Sequence, residues 1–362
     1  TLYSAYETRE TYHTILQKLT DAAFYRYAKN GLQKEVAKAL YGQILRNSVT
    51  RLETYASCAY KQFLQYGLAL KEREEFAFES VDMGNIFHGV LEGFSKKLEE
   101  SPYTWFDFPE DFAAKTVAET LSLYAAGYGD TVLFSSARNE YVIQRLTRML
   151  RRTVWALTKQ LEKGKFVPEG YEISFGACSE LETSDILLPE LGRLRLRGKI
   201  DRVDIYETED RLYVKVIDYK TGEKAFDLGE LCYGLQMQLV VYMNAALEMQ
   251  QKKYPEKQVI PAGLFYYQMK DPLVSRPGDE AELERNILKE LRPDGIVQST
   301  EEILDALDTG FRGTSQVIPA SRTQSGGLSK SSKVLTEEEF GVIADFAKSQ
   351  VKQVGTKILE GE

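Results

Sequence analysis

Two apolar strands joined by a short polar turn constrain this sequence more than any other feature. Residues 193–206 and 212–220 alternate between apolar and polar positions with a period of two, which is typical of β-strands. Residues 207–211 (Glu-Thr-Glu-Asp-Arg) supply the polar turn, so we predict a β-hairpin. Any fold of this chain must therefore bury a hairpin whose strands are largely apolar.

The rest of the sequence predicts helices before the hairpin and a mixture of elements after it. Further strands are predicted at residues 171–175 and 260–269. The predicted helices are residues 11–47, 51–65, 83–98, 109–163, 228–251 and 336–359. This order predicts an α/β core preceded by a helical section.

The apolar face of the first hairpin strand changes parity near Gly198. Leu196 lies on one face, whereas Ile205 has the opposite parity. We predict a β-bulge at this point. Such a bulge would turn Asp201 towards the face that carries Asp218 on the second strand.

The composition limits where a polyanion could bind. The 362 residues carry a formal net charge of −8, so any contact with nucleic acid must be local or be assisted by a metal or a partner. Three widely spaced cysteines predict no disulfide framework and favour a reducing, cytoplasmic setting. We find neither a run long enough for a membrane span nor a signal-peptide pattern. Because the first residue is Thr1 rather than Met, we expect a fragment or a processed chain.

The acidic residues near the ends of the two strands form the candidate site. Asp218 and Lys220 end an otherwise apolar face, where an unpaired carboxylate would be costly unless a cation or the lysine neutralised it. Asp201, Asp218 and the backbone carbonyl of Tyr219 would give an oxygen-rich site suited to Mg²⁺ or Mn²⁺. Lys220 would orient a water molecule or stabilise developing negative charge.

Each of these residues also has a purely structural interpretation. Asp218 and Lys220 could form a simple ion pair at a strand end. Asp201 could be a turn residue paired with Arg202 or Lys199. Taken together, the two acids and the lysine favour a metal-dependent nuclease.

Three further polar residues lie on predicted helices. Gln238 falls within the apolar stripe of the helix at 228–251, so its side chain needs a partner on the backbone or in the site. Tyr242 follows four residues later and shares that face. His88 flanks the apolar stripe of the helix at 83–98, where it is either a metal ligand or a structural residue.

The order of these motifs resembles that of the RecB-family PD-(D/E)xK nucleases. The motifs are Gly84…His88, Gly198-x-x-Asp201-x-x-Asp204, Asp218-Tyr219-Lys220 and Gln238-x-x-x-Tyr242. More specifically, residues 45–362 resemble the C-terminal part of the AddB family, the second subunits of AddAB-type helicase–nucleases. The segments that carry this similarity are residues 48–58, 261–267 and 315–361.

The resemblance implies a fold, a domain division and a set of roles. The fold would be α/β, a restriction-endonuclease-like core with a central mixed sheet flanked by helices and with large helical insertions. Residues 1–45 would end a helicase-like region, and residues 46–362 would form the nuclease domain, with a helical insertion over residues 95–165. The implied metal ligands are His88, Asp201, Asp218 and the Tyr219 carbonyl; Lys220 would be the catalytic lysine, supported by Gln238 and Tyr242.

One departure from the AddB pattern concerns an iron–sulfur cluster. The family carries four cysteine ligands for a 4Fe–4S cluster, one early and three near the C-terminus. Cys58 matches the early ligand, whereas Cys178 and Cys232 match none of the others. We therefore expect no assembled cluster in this chain and a buried, structural Cys58.

The resemblance implies a Mg²⁺-dependent deoxyribonuclease, an exonuclease that processes double-strand break ends for recombinational repair. It would act on one unwound strand while an AddA-type subunit drives unwinding with ATP. This chain lacks a G-x-x-x-x-G-K-[ST] motif, so it should not hydrolyse ATP itself. Lys199, Arg202 and Lys224 are candidate contacts to single-stranded DNA. The alternatives are a stand-alone RecB-like exonuclease and a non-catalytic DNA-binding scaffold of the same fold.

Overall fold

The structure, a computed structural model, describes residues 10–25, 31–71, 80–126, 137–176, 181–275 and 278–362. The elements before the first long strand are α1 (Glu10–Ala23), α2 (Lys34–Tyr41), β1 (Ile44–Asn47), α3 (Val49–Ser57), α4 (Ala59–Gln62), a π-helical turn (Phe63–Gly67), α5 (Ser80–Glu99), α6 (Glu110–Ala126) and α7 (Ala137–Leu161). Five strands follow, namely β2 (Val167–Phe175), β3 (Asp185–Leu188), β4 (Gly192–Leu196), β5 (Gly198–Glu207) and β6 (Arg211–Lys220). The remaining elements are α8 (Leu228–Cys232), α9 (Gln238–Lys253), β7 (Gln258–Gln268), α10 (Glu280–Glu290), β8 (Asp294–Gln298), α11 (Glu301–Leu307), β9 (Val334–Leu335) and α12 (Glu337–Glu360).

A six-stranded mixed sheet forms the centre of the fold. Its strand order is β2-β5-β6-β7-β8-β9, and a second sheet has the order β1-β4-β3. The predicted hairpin is β5 and β6, which pair antiparallel, whereas β6 and β7 are parallel and are connected through α8 and α9. Parallel neighbours need such a crossover because a tight turn cannot join them. The predicted α/β core with a central mixed sheet flanked by helices is confirmed.

Both faces of the large sheet are covered by helices. On one face, Phe94 of α5 and Leu150 of α7 belong to the same apolar cluster as Phe265 of β7. On the other face, Leu239 of α9 and Val351 of α12 pack with the alternate residues of the strands. Burying one such side chain stabilises the fold by about 1.5–3 kcal/mol. Double coverage explains why β6 is apolar at most positions and why even charged residues of β5, such as Arg202 and Asp204, are buried.

The strand predicted for residues 193–206 is wrong in one respect, because it is two strands in two sheets. β4 ends at Leu196, and the N–H group of Arg197 donates to the carbonyl of Asn47 at 2.9 Å. β5 then begins at Gly198 in the large sheet, where it pairs with Phe175 of β2, and the register of this pairing shifts between Pro168 and Gly170. A crossing between sheets therefore stands where the β-bulge was predicted, and the apolar parity changes further along, between Ile200 and Val203, which pack in the same apolar cluster.

Two predicted helices are also interrupted by glycines in the left-handed region. Gly42 (φ 73°) ends α2, and the chain then forms β1 instead of continuing as a helix to residue 47. Gly234 (φ 74°) follows α8 and separates it from α9 within the helix predicted for 228–251. Glycine reaches this conformation without the steric cost that other residues meet. The short strands β1, β3 and β8 were not predicted.

Residues 31–47 are attached to the end of the chain. The N–H group of Leu32 donates to the carbonyl of Gly361 at 2.6 Å, and β1 runs parallel to β4. The proposed domain boundary between residues 45 and 46 falls inside β1, and the division into a helicase-like region and a nuclease domain remains a proposal. Among the described residues, we find no helix that combines the length and the apolar character needed to span a membrane.

Candidate metal centre at the edge of the large sheet

Three acidic side chains stand in one row across three neighbouring strands. The pairing of β5 with β6 places Asp201 opposite Asp218, one step beyond the pair Arg202–Ile217. The pairing of β5 with β2 places Glu172 beside Asp201. Residues directly opposite one another in antiparallel strands present their side chains on the same face. Strand pairing therefore brings Asp201 and Asp218 to neighbouring positions, and Glu172 lies beside Asp201 in β2.

His88 joins this acidic row from α5. Its Nδ1 atom lies 3.3 Å from Oε1 of Glu172 and 3.3 Å from Oδ1 of Asp201. One potential ligand atom from each of these three residues lies within 4.8 Å of the other two. Phe87, the neighbour of His88, is fully buried in the apolar cluster beneath α5, which fixes the helix against the sheet. The spacing is compatible with a shared metal ion.

The acids favour a positive charge on His88. Burial disfavours the imidazolium, but hydrogen bonds and charge interactions with Asp201 and Glu172 raise the pKa of His88 to about 10. Glu172 is also contacted by Lys199, whose Nζ lies 2.6 Å from Oε2. Although burial raises it, the pKa of Glu172 is held below its usual value by His88 and Lys199. Glu172 and Asp201 therefore form an acidic pair that already holds two positively charged side chains, His88 and Lys199.

Asp218 is the most deeply buried acid of the row, with 1% of its surface exposed. Burial and the nearby Asp201 raise the pKa of Asp218 to about 7, although Lys220 acts in the opposite direction. Its Oδ2 atom forms a close ion pair with the ammonium group of Lys220. A buried carboxylate beside a lysine is suited to hold a metal ion as well, because carboxylate oxygens can accept several partners.

Gln238, the first residue of α9, connects the acid with the lysine. Its Nε2 donates to Oδ1 of Asp218 at 2.9 Å and to the hydroxyl of Tyr242 at 3.1 Å. Its Oε1 accepts from Nζ of Lys220 at 3.2 Å. Tyr242 packs edge-on against Phe175 of β2, with ring centroids 5.7 Å apart. The structure therefore brings Gln238 and Tyr242 together with Asp218 and Lys220.

Asp201 is bound to the second strand through the main chain. Its Oδ2 accepts the N–H of Tyr219 at 2.6 Å. Because the N–H and C=O groups of one strand residue face the same neighbouring strand, the Tyr219 carbonyl faces β5 as well. The alternative that Asp201 is a turn residue paired with Arg202 or Lys199 is wrong, since Asp201 is a buried residue within β5 with other partners.

Glu172 is a site residue that the sequence reasoning missed. It lies in β2 with a left-handed φ of 51°, which is uncommon for any residue except glycine. This conformation interrupts the alternation of side chains along the strand, so a period of two gives no indication of where Glu172 points. Backbone strain of this kind is often found at functional sites. The only signal in the sequence is an acid within a predicted strand.

Arg202 is buried inside the fold, so the prediction that it contacts nucleic acid is wrong. Only 1% of its surface is exposed, because it lies on the face of β5 opposite to Asp201. Its guanidinium donates to both carboxylate oxygens of Asp204, at 2.5 and 3.1 Å, and lies over the ring of Trp105. Lys215 also contacts Asp204, at 2.7 Å. The last acid of the Gly-x-x-Asp-x-x-Asp motif is thus the shared partner of two buried cations.

The other two candidate DNA contacts lie closer to the surface. Lys199 is half-exposed and pairs with Glu172. Lys224 is partly buried, with its Nζ 4.9 Å from the centre of the Tyr266 ring. Both remain proposals as contacts to a DNA strand.

Cys58 is exposed, so the expectation of a buried structural cysteine is wrong. The residue lies between α3 and α4 with an extended backbone (φ −162°, ψ 105°). Because one helix ends and the next begins here, the side chain is not packed along a helix face. Cys232 is exposed too, and Cys178 lies outside the described residues.

A mixed sheet with acids and a lysine in this arrangement defines a nuclease of the PD-(D/E)XK type. Residues 46–344 match the PD-(D/E)XK nuclease superfamily, and the chain belongs to that superfamily.

The chain is also similar over nearly its whole length to proteins named as the B subunits of ATP-dependent helicase/deoxyribonucleases. It is 39% identical to that of Lachnoclostridium phytofermentans, over 98% of the chain. It is 36% identical to that of Caldanaerobacter subterraneus subsp. tengcongensis, over 100%, and 34% identical to that of Thermoanaerobacter sp. (strain X514), over 99%. The chain spans 31% of the length of each relative. The predicted resemblance to the AddB family, the second subunits of such enzymes, is confirmed.

Proposed function

We propose that this chain hydrolyses DNA phosphodiester bonds with the help of Mg²⁺ or Mn²⁺, as the nuclease part of a helicase–nuclease subunit. The observation that carries the proposal is the row of Glu172, Asp201 and Asp218, with His88 at one side and Lys220 at the other. The names of the relatives, which include a deoxyribonuclease, support DNA as the substrate.

The donor set supports a divalent metal ion. Carboxylate oxygens predominate in it, and they suit Mg²⁺ and Mn²⁺. We propose Asp201, Asp218, the Tyr219 carbonyl and His88 as ligands, with Glu172 as a further candidate; His88 would release its proton when the metal binds, because only a neutral imidazole can coordinate. A metal ion bound there would polarise the phosphate and lower the pKa of a bound water.

The neighbouring side chains have roles of their own in this proposal. Lys220 would stabilise negative charge that develops on the phosphate. Gln238 keeps Lys220 and Asp218 in fixed relative positions through its hydrogen bonds to both. Tyr242 orients Gln238 through its hydroxyl and lies beside Phe175, where it would support the DNA strand.

The wider biological role follows the family. We propose an exonuclease that acts on a single strand released from an unwound duplex, during processing of double-strand break ends for recombinational repair in the cytoplasm. An AddA-type subunit would drive unwinding. Cys58 would be an iron–sulfur ligand in the full-length family, but we expect no cluster in this chain, because the other described cysteine, Cys232, does not match a family ligand.

Cleavage of end-labelled single-stranded DNA tests the proposal directly. We expect products with Mg²⁺ or Mn²⁺ and none with a chelator. Products that persist with the chelator would exclude the proposed chemistry. A folded protein that binds single-stranded DNA but yields no products with either metal would favour the non-catalytic scaffold instead.

Metal binding should stabilise the protein measurably. A ligand present at one hundred times its Kd adds about 2.7 kcal/mol to the free energy of unfolding. Thermal unfolding in increasing Mn²⁺ or Mg²⁺ should therefore show a rising Tm, and the rise should disappear in Asp218→Asn. An unchanged Tm in the parent at millimolar metal, or an equal rise in the variant, would contradict the proposed ligand set.

Replacing Glu172 with glutamine should slow cleavage without unfolding the protein. The change removes the charge that His88 and Lys199 share, and losing a partner that orients a metal ligand typically costs about 10–100-fold in affinity or activity. Glu169→Gln is the matched control, since Glu169 also lies in β2 but pairs with Lys253. Equal rates for the two variants would remove Glu172 from the site.

A further inference from the structure

We infer that Glu53 is a positioning residue for the reaction. Its carboxylate, on α3, fixes the start of α9 and thereby the Gln238 side chain that aligns Lys220 with Asp218. The inference rests on the proposed nuclease function, but it concerns a residue on a different element, outside the motifs that hold the acids.

The first turn of α9 lacks a cap from its own segment. Its N-cap residue, Met237, makes no side-chain hydrogen bond, and the first turn contains no acid. The first N–H groups of a helix have no acceptor within the helix and need one from elsewhere. Oε1 of Glu53 accepts the N–H of Gln238 at 3.0 Å, across 185 positions of sequence, and the carboxylate also accepts from the N–H of Met237.

Glu53 is itself held in place by the packing of α3. The helix begins at a side-chain cap, where the N–H of Arg51 donates to the hydroxyl of Ser48 at 3.4 Å. Leu52, the neighbour of Glu53, is fully buried in the same apolar cluster as Leu239 of α9. The separation of the carboxylate from the start of α9 is therefore set by two packed helices and not by a mobile surface side chain.

The charge of Glu53 also acts on the site. Burial raises the pKa of Glu53, whereas Lys224, the N–H groups of Gln238 and Met237, and Lys220 lower it. An anion at a helix N-terminus is favourable, because the unpaired N–H groups there carry partial positive charge. Glu53 thus holds the helix end and interacts with the charges of Lys224 and Lys220.

The mechanical consequence follows from the contacts of Gln238. This side chain bonds to Asp218, Lys220 and Tyr242, while its main chain is bonded to Glu53. A displacement of about 1 Å in such a group can cost 10²-fold in rate. Glu53→Ala should therefore lower kcat for single-stranded DNA about 10–100-fold. KM should stay near the parent value, because Glu53 acts through Gln238 and not on the substrate.

The experiment compares Glu53→Ala with Asp279→Ala, a matched cap variant. Asp279 caps α10 by accepting the N–H of Ala281 at 3.1 Å, and α10 contains none of the proposed site residues. Both variants lose a helix cap, so both should lose similar stability in urea. Only Glu53→Ala should lose kcat, and Glu53→Gln should recover part of it, because the amide oxygen still accepts N–H groups. Parent kcat in Glu53→Ala, or an equal loss in Asp279→Ala, would overturn the inference.

Hydrogen exchange keeps this test separate from the proposed function. In Glu53→Ala, amide exchange should accelerate in residues 236–243 and in residues 216–222, a segment in which the Gln238 side chain contacts Asp218 and Lys220. Asp279→Ala should leave both segments unchanged. If the parent protein cleaves no DNA, the nuclease proposal fails. The amide exchange rates of the two segments still show whether Glu53 positions the start of α9. Unchanged exchange in both segments of Glu53→Ala would reject its positioning role.

Discussion

Replacing Asp218 with asparagine should abolish metal-dependent cleavage and at the same time leave the metal-free protein more stable than the parent above pH 7. Asparagine keeps the size of the side chain and an oxygen that accepts from Gln238. It loses the charge that would hold the cation. A metal ion acting on a phosphate is worth several kcal/mol in the transition state, so we expect a loss of about 10²–10³-fold or more in kcat.

The gain in stability follows from the direction of the pKa shift. Burial and Asp201 raise the pKa of Asp218 to about 7, whereas an aspartate in the unfolded chain has a pKa of about 3.9. Folding therefore favours the protonated form. This contribution is complete below about pH 4 and is lost as the pH rises through 7. Asparagine has no proton to lose, so the parent should weaken relative to the variant across this range.

Urea unfolding in a chelating buffer from pH 4 to pH 8 measures this difference. Asp345→Asn is a suitable control, because Asp345 lies on the exposed face of α12, away from the sheet. The control should match the parent in both stability and cleavage. Cleavage retained by Asp218→Asn, or a stability difference that does not change with pH, would contradict the metal-binding role and the raised pKa of Asp218.

Replacing Asp204 with alanine should cause the largest loss of stability. Asp204 is fully buried and is the shared partner of Arg202 and Lys215, which are buried as well. Removing it leaves two buried cations without compensation, a change that typically costs about 3–5 kcal/mol. The free energy of unfolding in urea gives the measurement. Asp185→Ala, which breaks the exposed pair with Arg193, should cost about 0–1 kcal/mol.

The cost should come from the unpaired charges and not from the loss of the ion cluster as such. Replacing all three residues together with apolar ones (Arg202→Met, Asp204→Leu, Lys215→Met) is therefore expected to be far milder than Asp204→Ala alone. If Asp204→Ala unfolds at the same urea concentration as the parent, the buried cluster does not stabilise the protein.

The sequence predicts the hairpin and its acids because both depend on local pattern. Long apolar strands with a period of two leave little ambiguity, and Asp218 and Lys220 stand out on such a face. The alternation of side chains along a strand also places Arg202 on the face opposite to Asp201. In the structure that face is buried, and so is Arg202.

Other features depend on tertiary structure and have no local signal. Strands of four or five residues such as β1, β3 and β8 are too short to show a period. The crossing at Arg197 leaves no mark on the alternation, because Leu194, Leu196 and Ile200 keep the same parity on both sides of it. Glu172 enters the site through a left-handed backbone, which no residue pattern around it predicts. Glu53 meets Gln238 only because α3 and α9 pack together.

The ion cluster of Arg202, Asp204 and Lys215 lies on the reverse side of the strands that hold the acids. A slip of β5 by a single residue would turn Asp201 away from Asp218 and would separate Asp204 from Lys215. The charged trio on the back of the sheet thus penalises a one-residue slip of the hairpin. The alignment that buries this trio is the same one that sets Asp201 opposite Asp218.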